Sequence, residues 1–136
     1  MTIIDQLRRD EGVRLKPYRD SVGKLTIGVG RNLDDVGISS DEADFLLSND
    51  VAYAQRMLEQ ALPWTVGLGD ARNGVLLNMT FNMGIGGLLE FKETLAKIQS
   101  GDYAGAAQHM LDSKWAEEVG PRSHRLALQM ESGEWQ

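Results

Sequence analysis

The stretch Asp10–Asn32 restricts the possible folds of this chain more than any other part of the sequence. Its letters, DEGVRLKPYRDSVGKLTIGVGRN, pass from the end of an amphipathic helix into two strand-like segments, Arg14–Tyr18 and Lys24–Val29. A turn that contains Asp20 and Gly23, both favoured turn residues, separates the two segments. The stretch therefore predicts a helix followed directly by an antiparallel hairpin.

Helical patterns flank the hairpin on both sides. Thr2 and Asp5 have the spacing of a capping box, which predicts a helix over residues 3–11 that stops at Gly12. Apolar residues at helical spacing predict a long helix over about 40–61. Further helices are predicted at 70–83, about 88–99, 102–112 and 121–131, with a break at the glycines from Gly84 onward.

These elements predict a single domain over residues 1–136 with an α+β, predominantly helical fold of two lobes. A small β lobe covers about 12–37, and a connecting helix covers about 40–61. The helical lobe covers about 64–136 and includes the N-terminal helix 3–11. A cleft between two lobes is a common place for a site.

Composition excludes several classes of function. The 136 residues carry a net charge of −6, which argues against nucleic-acid binding. The chain has no cysteine and two histidines, so it has no disulfide and we expect no metal site. No segment is apolar enough to span a membrane, and the N-terminus lacks the apolar region of a signal peptide. We therefore expect no stable membrane insertion, and delivery to any substrate outside the cytoplasm requires another component.

Glu11 is the first candidate for chemistry. A carboxylate in the last turn of a helix faces the negative end of the helix dipole, which favours its protonated form. A general acid for glycosidic cleavage needs such a bias near neutral pH. The spacing alone leaves a second interpretation open, a surface glutamate beside Arg8 or Arg14.

Asp20 and Thr26 are the next candidates. Asp20 is explained locally as a turn former, or functionally as the carboxylate that opposes Glu11 across a cleft, on the order of 6.5–9.5 Å away in an inverting glycosidase. Thr26 alternates with Leu25 and Ile27, so it points away from them, toward a cleft or solvent. Its hydroxyl could hold an attacking water, or Thr26 could simply be a good strand former.

The motif Asp10-Glu11-Gly12-x-Arg14-Leu15-x-x-Tyr18-x-Asp20-x-x-Gly23-x-x-Thr26-Ile27-Gly28-x-Gly30 closely resembles the signature of the phage-type lysozymes, glycoside hydrolase family 24. Three later segments resemble other parts of that family in the right order. They are Asn78-Met79-x-Phe81-Asn82-Met83-Gly84, Lys114-Trp115 followed by Arg122 and Arg125, and Gly133-Glu134-Trp135. The resemblance covers nearly the whole chain.

The resemblance implies an endolysin that hydrolyses the β-1,4 bond between N-acetylmuramic acid and N-acetylglucosamine in bacterial peptidoglycan. It implies Glu11 as general acid, Asp20 as base or electrostatic partner, and Thr26 as the residue that places the nucleophilic water, with inversion. No cofactor or metal is implied. It further implies a monomer that accumulates in the host cytoplasm and reaches the wall through a membrane-perforating, holin-type partner, causing lysis.

The resemblance also implies a set of substrate-binding residues. Arg122 is expected near Glu11, with an exposed helix-start arginine as the alternative. Phe81 is expected beneath the sugars or, alternatively, as a core aromatic. Asn82 is expected at an acetamido or hydroxyl group, or as a cap of the break at Gly84. The remaining expected cleft residues are Gly30, Asn32, Thr94 and His109. His109 departs from the residue type that the family has there, and a lone helix histidine is more often structural.

Two departures from the family pattern concern the small lobe. Residue 31 is Arg where the family commonly has His, which changes the local ion pairing. The connector after it, NLDDVGIS, is much shorter than in larger members, which puts the outer sugar subsites in question.

Three alternative functions remain open from the sequence. The chain could be a non-catalytic peptidoglycan-binding relative, against which the complete Glu11, Asp20 and Thr26 set argues. It could be a lytic transglycosylase, which needs one carboxylate and releases an anhydro-sugar. A chitinase-like preference is the third.

Overall fold

The computed structural model describes residues 1–136 as seven α-helices and one small antiparallel sheet. This confirms the predicted α+β, predominantly helical fold. The chain divides into two compact units, Met1–Leu46 and Leu47–Gln136. The N-terminal helix belongs to the first unit, which differs from its assignment to the helical lobe, because Gly12 leads directly from that helix into the sheet. The two-lobe description of a single domain stays a prediction.

The first unit contains helix α1, Ile3–Glu11, and strands β1, Arg14–Arg19, β2, Leu25–Gly28, and β3, Arg31–Asn32. The predicted capping box starts α1, since the Thr2 hydroxyl accepts from the Asp5 N–H and the Asp5 carboxylate accepts from the Thr2 N–H. The strands pair in the order β1-β2-β3, all antiparallel. A two-residue strand such as β3 is too short for its own periodic pattern, so the sequence does not predict it separately.

Helix α2, Ser40–Ala61, begins in the first unit and continues into the second. Ser39 and Glu42 cap its start reciprocally, with the Glu42 N–H donating to the Ser39 hydroxyl and the Ser39 N–H donating to the Glu42 carboxylate. The helix has the predicted extent and is unbroken.

The second unit continues with a short 3-10 helix, Pro63–Gly67, in a segment predicted as loop, and with α3, Asp70–Leu89. Gly84 interrupts α3 with non-helical torsions (φ 78°, ψ 163°), at the break that the sequence predicts. The remaining helices are α4, Lys92–Ser100, α5, Tyr103–Leu111, α6, Lys114–Val119, and α7, Pro121–Ser132. The sequence does not predict α6, because six residues are too few to show a helical period.

The apolar core lies in the second unit, where α7 packs against α3, α5 and α6. Leu58, Leu76, Met79, Met110 and Met130 have no exposed surface. In the first unit, the apolar side chains of α1 share one face, as predicted, but are exposed. These side chains are Ile3, Ile4 and Leu7. None of the helices combines the length and the apolar character needed to cross a membrane.

Candidate active site

The carboxylate of Asp20 is fixed by the turn in which it lies. Its Oδ1 accepts from the Val22 N–H at 3.0 Å and from the Lys24 N–H at 2.8 Å. Its backbone N–H donates to the Lys24 carbonyl, and its carbonyl accepts from the Gly23 N–H. The local role of Asp20 as a turn former is therefore real, and it uses only Oδ1. The second carboxylate oxygen, Oδ2, takes no part in the turn.

Thr26 lies in β2, opposite Tyr18 of β1 and Asn32 of β3. Its side chain is 3% exposed, so it does not point to solvent. The Thr26 hydroxyl donates to the Lys24 carbonyl at 2.9 Å. Because this bond uses the only hydroxyl proton, Thr26 can act toward a water molecule only as an acceptor.

Lys24 therefore contacts both candidates through its backbone. Its N–H holds the Asp20 carboxylate, and its carbonyl receives the Thr26 hydroxyl. The hairpin thus brings Asp20 and Thr26 to neighbouring positions through one shared residue.

Glu11, the last residue of α1, is exposed, and its carboxyl lies against the turn between β2 and β3. An ideal Cβ added at Gly30 would be 3.1 Å from Glu11 Oε2, tighter than ordinary contact. Gly30 also has a φ of +71°, which favours glycine. Gly30 thus allows the close approach of a carboxylate, while the sequence assigned it to substrate binding.

Asn32 is engaged by the connector that follows it. Its side-chain NH₂ donates to Asp35 Oδ2 at 3.0 Å, and its Oδ1 accepts from the Asp35 N–H at 2.9 Å. Both ends of the Asn32 amide are used within the first unit, which gives Asn32 a structural role, and its expected contact with the substrate stays a prediction.

The second unit holds the other expected site residues, among them Arg122. Its Nε donates to Asn78 Oδ1 at 3.0 Å, and its Nη2 donates to the same oxygen. Arg122 and Asn78 line a cavity of about 270 Å³ together with Phe81 and Trp135. The expected position of Arg122 near Glu11 stays a prediction.

Phe81 and Asn82 lie side by side on α3. Phe81 is 49% exposed, so it is not the core aromatic that the sequence left as an alternative. Asn82 is exposed, and its Oδ1 accepts from the Trp115 indole N–H at 3.2 Å. Trp115 in turn packs edge-to-face on Phe91, with ring centroids 6.1 Å apart. Trp115 therefore binds Asn82 through the amide oxygen, and the Asn82 NH₂ group takes no part in that bond.

Thr94 and His109 lie on other helices, α4 and α5. Thr94 is 4% exposed on the buried face of α4, and its expected contact with the substrate stays a prediction that we leave out of the proposed site. The His109 Nδ1 lies 3.4 Å from Glu93 Oε2 and links α5 to α4. That contact agrees with the structural interpretation of His109.

Sequence reasoning did not single out Asn78, Asp34 or Asp35 as contacts of the candidate site. Asn78 stands four residues before Asn82, on the same helix face, and that spacing could have identified it. The contacts of Asp34 and Asp35 with the hairpin depend on the path of the connector, which has no periodic signal.

Comparison with known proteins identifies the family of this chain. The family model described as Phage lysozyme matches residues 8–129. A "Probable T4-type lysozyme 1" of Dictyostelium discoideum is 29% identical over 97% of this chain and 95% of its own length. An "Endolysin" of Acyrthosiphon pisum secondary endosymbiont phage 1 is 30% identical over 81% of this chain and 74% of its own. The "Pre-baseplate central spike protein Gp5" of Enterobacteria phage T4 is 30% identical over 94% of this chain, which corresponds to 27% of that protein.

The phage lysozyme family model and the lysozyme and endolysin relatives place the chain among the lysozyme hydrolases, and the helical fold with its small sheet is consistent with that class. The chain belongs to the phage lysozyme family. It is accordingly a lysozyme, an enzyme that lyses bacterial peptidoglycan.

Proposed function

We propose that this lysozyme cleaves the β-1,4 bond between N-acetylmuramic acid and N-acetylglucosamine with Glu11 as general acid. Glu11 donates a proton to the leaving glycosidic oxygen, and Asp20 stabilises or deprotonates the water that attacks from the opposite face. The observation that supports the roles of Asp20 and Thr26 is their shared attachment to Lys24, described above. The role of Glu11 rests on its match to the family motif and on the close approach of its carboxyl to Gly30.

The hydrogen bonds specify what each group does to the water. Asp20 Oδ2 accepts one water proton, since Oδ1 is committed to the turn. Thr26 Oγ1 accepts the other, since its own proton is donated to Lys24. With both protons of the water held by acceptors, a water lone pair faces the anomeric carbon. Direct attack by this water from the face opposite the leaving oxygen would invert the configuration of the anomeric carbon.

Substrate contacts are proposed at three residues of the second unit. Phe81 presents an exposed aromatic face for the apolar side of a sugar ring. Asn82 offers its NH₂ group to an acetamido carbonyl or a hydroxyl. Arg122, oriented by Asn78, offers its remaining guanidinium N–H groups to an oxygen of the substrate.

The test is cleavage of purified peptidoglycan by wild type and by Glu11→Gln, with new reducing ends as the readout. Glu117→Gln, at an exposed position of α6, is the matched control for the loss of one carboxylate. Release by wild type and by the control, with none by Glu11→Gln, supports Glu11 as the acid. Binding without release by all three proteins would instead support a wall-binding module.

Two further readouts address the mechanism. Mass spectrometry of the products shows a gain of water for a hydrolase and an anhydro-sugar for a transglycosylase. Proton NMR of the first product reports the anomeric configuration: an α-anomer supports inversion, and a β-anomer contradicts the proposed water geometry.

We also propose the biological setting that the family resemblance implies. The enzyme acts on the cell wall after a membrane-perforating partner of the holin type gives it access, and it acts as a monomer. Expression inside a bacterium, with and without a co-expressed pore-forming protein, tests the first point. Lysis that needs the pore supports it, and lysis by the enzyme alone contradicts it.

A further inference from the structure

The short connector after β3 returns to the catalytic hairpin. The pairing of β2 with β3 ends at Thr26 and Asn32, so Leu25, which pairs with Arg19 of β1, has no β3 residue opposite it. The Leu33 N–H donates to the Leu25 carbonyl at 2.7 Å. The Leu25 N–H donates to Asp34 Oδ2, also at 2.7 Å. The Asp34 carboxylate therefore takes the place of the backbone carbonyl that a longer strand would supply.

Asp35 contacts Lys24, the hairpin residue that precedes Leu25. Its Oδ1 lies 3.2 Å from Lys24 Nζ, and its Oδ2 accepts from the Asn32 side-chain amide. The bonds between Asn32 and Asp35 run in both directions, which fixes the Asp35 backbone as well. Asp34 thus binds Leu25 and Asp35 binds Lys24, so the two aspartates contact two consecutive residues of the hairpin.

Lys24 also binds both Asp20 and Thr26. Its N–H donates to the Asp20 carboxylate, and its carbonyl accepts from the Thr26 hydroxyl. A displacement of Lys24 and Leu25 would therefore move Asp20 and Thr26 relative to each other. We propose that Asp34 and Asp35 are positioning residues, which set the geometry of the Asp20 turn and the Thr26 hydroxyl for the attacking water. The proposal rests on the proposed function for its effect on catalysis.

The two aspartates contribute unequally. The Lys24–Asp35 ion pair is exposed, with 43% and 56% of the two side chains accessible, so solvent weakens it. The Asp34 bond is also exposed, but it is made to a backbone N–H at the end of the sheet and is shorter, 2.7 Å against 3.2 Å. Asp34 is therefore the main positioning residue, and Asp35 supports it.

The test compares Asp34→Ala with Asp34→Asn, because asparagine keeps an oxygen that can accept from Leu25. We expect Asp34→Ala to lower kcat about 10-fold or more with little change in KM, since small displacements of catalytic groups are costly. Asp34→Asn should stay within about 2-fold of wild type, and Asp35→Ala should lose about 2- to 3-fold. Asp44→Ala, an exposed carboxylate of α2, is the control.

An activity-independent readout separates this proposal from the proposed function. Amide hydrogen exchange at Val22 and Lys24 reports the Asp20 turn directly. Faster exchange in Asp34→Ala, and not in Asp34→Asn or Asp44→Ala, supports positioning even if wild type proves inactive on peptidoglycan. Unchanged exchange and unchanged kcat in Asp34→Ala would overturn it. Equal losses of kcat in the Ala and Asn variants would also overturn it, since charge rather than the hydrogen bond would then be responsible.

Discussion

Arg31 and Glu42 form an ion pair across the first unit, with Arg31 Nη1 2.7 Å from Glu42 Oε1. Arg31 also donates to the Gly37 carbonyl, and Glu42 accepts from the Ser39 N–H. The hydrogen bond from Arg31, helped by those from Ser39, lowers the pKa of Glu42 from 4.5 to about 2. The pair therefore joins the end of the sheet to the start of α2.

The lowered pKa of Glu42 predicts a defined pH dependence of stability. A carboxyl whose pKa is lower in the folded state stabilises the fold fully above its unfolded pKa, near 4.5, and loses that contribution as pH falls toward about 2. Glu42→Gln should therefore be less stable than wild type at pH 7, and the difference should shrink between pH 4.5 and 2. Urea unfolding at several pH values measures it, with Glu117→Gln as control. A difference that stays constant down to pH 2 would contradict the prediction.

Because residue 31 is an arginine, we expect the stability from the Arg31–Glu42 ion pair to be insensitive to pH near neutrality. Arginine stays charged, whereas an unperturbed histidine titrates near pH 6.5. In Arg31→His, the histidine should gain a raised pKa from Glu42, so the pair stabilises below about pH 6 and is lost as pH rises through 8. Wild type should have nearly constant stability over the same range. Thermal unfolding between pH 5 and 8 compares the two, and parallel curves would show that the ion pair does not contribute.

Alanine substitutions at Gly30 and Gly28 should reduce stability to a similar extent but differ in their effect on activity. Both have positive φ values, +71° and +69°, so alanine at either position should cost about 1–2 kcal/mol. Only at Gly30 would the new Cβ approach the Glu11 carboxyl, whereas none of the heavy atoms around Gly28 would lie within 4 Å. Gly30→Ala should therefore lose most of its activity and Gly28→Ala should keep it, at similar unfolding free energies. Equal activities would show that Glu11 tolerates the added methyl group.

The sequence predicted the elements of this fold well where local signals are complete. The Thr2 and Asp5 capping box and Gly12 set both ends of α1, and Gly84 marked the break in α3. It missed the 3-10 helix at Pro63–Gly67 and helix α6, since short helices owe their stability to packing rather than to a periodic pattern.

The site was less predictable than the elements. Proposed roles for Glu11, Asp20 and Thr26 came from a local motif, and the hairpin brings Asp20 and Thr26 together through Lys24. The burial of Thr94 was not predicted, because burial depends on how helices pack and not on residue type. The replacement of a strand carbonyl by Asp34 depends on the connector's path, which no local pattern encodes.

Alanine substitutions at two glycines of α3 should have opposite effects on stability. An ideal Cβ at Gly74 would be 2.5 Å from Cη2 of Trp135, whereas at Gly86 it would have no atom within 4 Å. Gly74→Ala should displace the Trp135 ring and destabilise the protein by about 1–3 kcal/mol. Gly86→Ala should stabilise it by about 0.4–1 kcal/mol, by restricting the unfolded chain. Chemical unfolding followed by circular dichroism measures both, and a shift in tryptophan emission should accompany Gly74→Ala alone.

Arg122 and Asn78 predict a strong coupling between two polar side chains of the second unit. The guanidinium gives two hydrogen bonds to one amide oxygen, and hydrogen bonds to charged groups are stronger than neutral ones. A double-mutant cycle of Asn78→Ala and Arg122→Ala should give a coupling energy of about 1.5–3 kcal/mol. The neutral pair of Asn82 and Trp115, tested with Asn82→Ala and Trp115→Phe, should give about 0.5–1.5 kcal/mol. A coupling at Arg122 no larger than that of the neutral pair would mean that water replaces Asn78 as its partner, and Arg122 would then lack the fixed orientation that the proposed substrate contact requires.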